Sequence, residues 1–170
     1  MKRTSLLLVL LLTAACNGHA STGPKSHFTA SSSCSSVDLD YFVKVFGADP
    51  SGETKQSGPA IAGHPDSYAC VLEQQSSGQP FSTLSVAVCP TSCTTLWDEE
   101  KTRRAANGGT VAVDGTTFTI AKFNEVVAHD EKGTYVDVAI PFVPDDVHPN
   151  VPLLEASKHF AEYALTHVNR

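Results

Sequence analysis

Leu39, Phe42, Val43 and Phe46 recur at helical spacing, and Gly47 follows them as a stop. Ser35 or Ser36 is placed to cap this first helix. Residues 48–66 are broken up by Gly and Pro and predict a long loop without regular structure. Residues 67–74 and 81–89 alternate or run apolar about a short polar turn, the pattern of a β-hairpin. A second helix is predicted from about Thr94 to Asn107, ended by Gly108 and Gly109. Residues 110–114 and 116–123 flank Asp114-Gly115, a strong hairpin signal. The strand from Thr116 reads as continuing to His129 with a bend near Asn124, and residues 134–142 return against it. After a turn-rich linker over 144–152, Leu153, Leu154, Phe160, Ala161, Ala164 and Val168 line one face of a last helix. The order α-β-β-α-β-β-β-α predicts an α+β fold, an antiparallel sheet of about five strands flanked by about three helices.

The N-terminus follows a different pattern. Lys2 and Arg3 precede an unbroken apolar run from Leu6 to Leu12, then small residues and Cys16. This is the layout of an export signal, and Leu12-Thr13-Ala14-Ala15-Cys16 resembles a bacterial lipobox. Residues 1–15 are therefore expected to be a lipoprotein signal peptide, with Cys16 the lipidated first mature residue. Palmitate is an expected acyl group. Two or more acyl chains make a stable membrane anchor where one is marginal. Residues 16–33, rich in Ser, Thr and Gly, are expected to be a flexible tether, and residues 34–170 a single globular domain. The expected place is outside the cell, on the outer face of the cell membrane, or on the outer membrane of a two-membrane cell.

Charge narrows the partners. The chain has 12 Lys+Arg against 18 Asp+Glu, a net charge of -6 over 170 residues. Loss of Lys2 and Arg3 on processing takes it to -8. Phosphate neutralisation needs clustered cations, so no nucleic-acid partner is expected. An acidic body gains nothing from an anionic bilayer, which leaves the lipid to hold it. Asp98, Glu99 and Glu100 open the second helix; Lys101, Arg103 and Arg104 follow. That polarity suits the helix dipole, with Glu99–Arg103 and Glu100–Arg104 as i,i+4 pairs, and describes an exposed, solvated helix.

Five cysteines divide into Cys16 for lipid and four others: Cys34, Cys70, Cys89 and Cys93. An even remainder in an exported domain implies disulfides. Three pairings exist, and the preferred one is Cys34–Cys70 with Cys89–Cys93. The first would tie the start of the first helix to the first strand, stabilising the fold by roughly 4 kcal/mol in the chain-entropy model. The second would close a tight ring at the entry to the second helix. Its spacing, Cys-x3-Cys, is not that of thioredoxin-like enzymes. Redox and metal roles are the weaker alternatives, since no paired Cys or His motif supplies further zinc ligands.

Other chemistry is sparse. His129-Asp130-Glu131 and Asp145-Asp146-x-His148 place His beside carboxylates in turns and could join into a metal site, though turns are polar anyway. No nucleophile elbow, zinc-protease helix or phosphate-binding Gly loop occurs. No catalytic residue, metal or cofactor is therefore expected.

Cys16, Cys34, Leu39, Phe46, Gly47 and Cys70, in that order along an exported chain, resemble small actinobacterial lipoproteins that carry a domain of unknown function. The resemblance implies a PsbP-like α+β fold and no general enzymatic role. The expected function is that of a membrane-anchored lipoprotein with a non-enzymatic binding or accessory domain. Its ligand is expected to be an envelope protein, a lipid or a glycan. The alternative is a secreted hydrolase or redox enzyme whose site does not show in the sequence.

Overall fold

The computed structural model describes residues 23–54, 56, 58–91, 93–107, 111–120 and 123–168. The expected signal peptide and Cys16 lie outside them. A short 3-10 turn, Ser32–Cys34, leads into α1, Leu39–Phe46. Asp38, not Ser35 or Ser36, caps α1: its carboxylate accepts from the Tyr41 amide at 2.9 Å, while Ser36 is fully buried. Gly47 ends the helix in the left-handed conformation, φ 77°, with its N–H on the Val43 carbonyl at 2.8 Å.

Among the described residues seven strands follow: β1 Gly52–Thr54, β2 Tyr68–Ser76, β3 Gln79–Cys89, β4 Val111–Asp114, β5 Thr117–Ile120, β6 Glu125–His129 and β7 Tyr135–Ala139. Helix α2, Thr94–Ala106, lies between β3 and β4, and α3, Leu153–Thr166, closes the chain. All strands form one antiparallel sheet in the order β1-β2-β3-β7-β6-β5-β4. Two meanders, β1–β3 and β4–β7, thus meet along the β3–β7 seam.

The α+β class, three helices and antiparallel sheet agree with the sequence reading; the strand count does not. The loop over 48–66 contributes β1, a three-residue edge strand on β2. The strand expected to run from Thr116 to His129 is two strands, β5 and β6, paired antiparallel. Asn124 stands at φ 48° between them, so the chain reverses there instead of bending.

The sheet packs on both faces, on the second only around the end of β3 and β5–β7. On one, Leu72, Leu84, Val86, Val88, Val126, Val136 and Val138 pack with Phe42, Val45, Phe160 and Ala164 of α1 and α3. On the other, Phe118, Ile120, Val127, Tyr135 and Cys89 pack around Trp97 of α2, with Ile61 from the long loop at the margin. Two-sided burial explains why β6 reads Val-Val-Ala with no polar alternation. Asn150 of the linker donates its backbone N–H to the Val45 carbonyl at 2.7 Å and so ties the linker to the end of α1.

The polar stretch before Cys34 is bonded to the domain from Lys25 onward. Lys25 Nζ pairs with Asp40 at 2.7 Å, the Ser26 amide donates to Asp40 at 2.8 Å, and Ser26 Oγ donates to Asp49 at 2.6 Å. Phe28 and Ala30 pack against the core. Among the described residues no helix is long and apolar enough to cross a membrane.

Candidate functional site

Two disulfides join the four domain cysteines in the preferred pairing. Cys34, at the end of the 3-10 turn, bonds Cys70 of β2 with Cα atoms 4.9 Å apart, both buried in the main core. Cys89, last residue of β3, bonds Cys93, which precedes α2, with Cα atoms 6.2 Å apart.

The second bridge has a neighbour that local sequence pattern does not announce. His64 Nδ1 lies 3.2 Å from Cys93 Sγ. The His64 nitrogen and the two sulfurs lie within 4.8 Å of one another. The long loop is built to hold the ring there. Ser67, nearly fully buried, donates its Oγ–H to the His64 carbonyl at 2.6 Å and accepts from the Ile61 amide at 2.8 Å. The His64 amide donates to Ile61 O at 3.1 Å and the Ser67 amide to His64 O at 3.0 Å. Ile61 is the hydrophobic peg that seats the loop on the core around Trp97. The cysteine ring is fixed from the other side: the Cys93 amide donates to Gly133 O at 3.1 Å, and Thr134 Oγ1 donates to Pro90 O at 3.2 Å. The third donor beside the Cys-x3-Cys pair belongs to no paired motif and comes from a loop 25 residues upstream of Cys89.

A second cluster lies on the same face of the sheet. Glu125 of β6 opposes Ala139, and Asp137 of β7 opposes Val127, so the two carboxyls are diagonal neighbours joined by a hydrogen bond. Burial first, and the Glu125 charge second, push the Asp137 carboxyl up to about 7. Burial also raises Glu125, against the pull of Arg104. Arg104 reaches from α2 to pair with Glu125 and also contacts Glu100 at 3.4 Å. The tyrosine beside them, Tyr135, is held protonated mainly by burial. The charge run of α2 is thus not purely solvated. Of its two expected pairs Glu100–Arg104 forms, whereas Arg103 turns to Glu100 and leaves Glu99.

On the opposite face, a cavity of about 300 Å³ opens between α3 and the β4–β6 end of the sheet. Ala112, Val113, Ala128 and Leu165 give it aliphatic walls, and Asp114, Thr119, Lys158 and Glu162 are among its polar edges.

The remaining sequence candidates stay apart. His129 Nδ1 lies 3.3 Å from the Asp130 carbonyl, and its ring meets Trp97 at 5.1 Å. Asp130 uses Oδ1 to accept the Lys132 and Thr134 amides, the work of a turn residue. His148 is exposed on the linker. Among the described residues these groups do not gather into a metal-sized cluster; the donors that do are His64, Cys89 and Cys93. Compared with known proteins, the chain matches no protein-family model, no curated protein and no solved structure.

Proposed function

We propose that this chain is a lipoprotein anchored through Cys16, whose domain binds a small amphiphile at the envelope without acting on it chemically. Kinship with the small actinobacterial lipoproteins of PsbP-like fold belongs to the same reading. The cavity between α3 and β4–β6 carries it. Its walls are largely aliphatic, and its rim carries the Lys158 ammonium and the Thr117 and Thr119 hydroxyls beside the carboxylates of Asp114 and Glu162. An aliphatic wall with a few polar groups at the rim suits a ligand with a short apolar part and a polar end. The volume limits that ligand to a small molecule or to one end of a lipid.

The test is native mass spectrometry of the protein extracted from membranes in mild detergent. A bound small molecule is expected in the wild type and absent from Thr119→Trp, which fills the cavity. Equal occupancy in both proteins would remove the cavity from the account. In parallel, Cys16→Ala should move the protein to the soluble fraction or leave it unprocessed. Unchanged lipid labelling of that variant would end the anchoring claim.

A further inference from the structure

We propose that His64, Cys89 and Cys93, once the cysteines are reduced, form a site for one copper(I) ion. Three observations converge. His64 Nδ1 lies 3.2 Å from Cys93 Sγ, and with the two sulfurs of the bridge it falls within 4.8 Å, a separation that one ion can span once the bridge opens. Both supports are built: Ser67 and Ile61 fix the His64 loop, and Gly133 and Thr134 fix the cysteine ring. Cys89 and Cys93 are 1% and 0% exposed, which suits an ion enclosed by the fold.

Donor chemistry selects the metal. Two thiolates and an imidazole are soft or borderline ligands, suited to copper(I) and zinc and unsuited to calcium or magnesium. Structural zinc takes four ligands in a tetrahedron. The described residues gather three donors here, a set that copper(I) accepts as a trigonal site. Two thiolates with one monovalent cation leave a single negative charge. Cys93 immediately precedes the 13-residue helix α2, whose N-terminal dipole favours that charge.

The disulfide is the oxidised form of the site. Loading needs an external dithiol, whose two thiols become its own disulfide as Cys89–Cys93 takes up two electrons and two protons and opens to two thiols. Copper(I) then replaces the two thiol protons, which pass to solvent, and His64 contributes the Nδ1 lone pair. The site lies on the α2 face of the sheet, so it stands or falls independently of the cavity beside α3.

The experiment uses the whole exported protein, reduced with excess dithiothreitol without oxygen, after alkylation of an aliquot has shown Cys89 and Cys93 to be free thiols. After removal of the reductant, copper(I) is titrated in competition with a chromophoric chelator, and X-ray absorption reads the ligands. The expected result is one copper per chain, with two sulfur scatterers and one nitrogen. Cys89→Ser should abolish that binding. His64→Ala, which removes only a loop side chain, should weaken it by about 100-fold, at or beyond the upper end of what losing a supporting hydrogen bond costs. Circular dichroism checks that both variants keep the fold. A stoichiometry well below one, two-sulfur ligation without nitrogen, indifference to His64→Ala, or zinc that resists displacement by copper(I) would each overturn the proposal.

Discussion

Arg104 on α2 pairs with Glu125 on β6 across the helix–sheet interface, and the two side chains are 25% and 4% exposed. The cation is the outer partner and the carboxylate the inner one. Glu125 enters the fold only because Arg104, the Asp137 carboxyl and a raised affinity for protons share its burial.

Arg104→Ala should therefore destabilise the domain by about 2–4 kcal/mol, because a buried carboxylate loses its cation. The cost stays toward the lower end if Glu125 protonates. Adding Glu125→Gln should recover part of the loss, since the neutral amide needs no counter-charge. Urea midpoints of the two single variants and the double variant measure the coupling. A loss below about 0.5 kcal/mol for Arg104→Ala would mean that the pair contributes nothing.

Asp137 gives the domain a pH dependence of uncommon sign. Its native pKa, about 7, lies above the ordinary 3.8, so the folded state holds the proton more tightly than the unfolded chain. That contribution is fully present below about pH 3.8 and is lost as pH rises to about 7. Asp137→Asn removes the penalty of ionising a buried carboxyl. It should raise Tm at pH 8 by several degrees and make little difference at pH 4.5. An equal shift at the two pH values would show that charge is not the cause.

The Cys34–Cys70 bridge spans 36 residues of sequence and lies in the main core. Replacing both cysteines by Ala should cost about 3–4 kcal/mol, chiefly by freeing the unfolded chain. Chemical denaturation against the wild type under non-reducing conditions reads the difference. In the native wild type, neither of the two sulfurs should take up an alkylating reagent.

Asp38 serves two partners, the Tyr41 amide at 2.9 Å and His159 Nε2 at 3.0 Å. Asp38→Ala should cost about 1–2 kcal/mol, at the upper part of the range for a lost N-cap. Asp38→Asn keeps an acceptor for Tyr41 and should cost less than half as much. If both variants lose the same amount, the contact with His159 on α3 outweighs the cap.

The parts of the fold that were legible in the sequence are those set by local rules. Helical spacing gave α1, and Gly47 marked its end through a backbone angle that other residues avoid. Asp114-Gly115 marked the β4–β5 turn, which forms with Asp114 opposite Thr117. The preferred disulfide pairing is also the observed one. The misses share a cause, namely long-range packing that overrides local pattern. Gly52–Thr54 carries no apolar alternation and is a strand only because β2 offers an unpaired edge. Asn124 looks like a bend until its positive φ is known. His64 sits in a Gly- and Pro-flanked stretch typical of solvated loops. The one local hint was Ile61, an apolar residue in a polar segment, which a free loop would have no reason to carry.

The bonds from Lys25 and Ser26 to Asp40 and Asp49 also set a mechanical limit. On the proposed attachment through Cys16, roughly nine residue steps separate the lipid from the Lys25 contact, a span of at most about 30 Å. That is a short working radius, comparable to the thickness of the bilayer core itself. The domain would not roam the envelope on such a leash. It would remain near the membrane surface, close to the point where its chain enters α1, and any ligand or metal donor would have to come to it there.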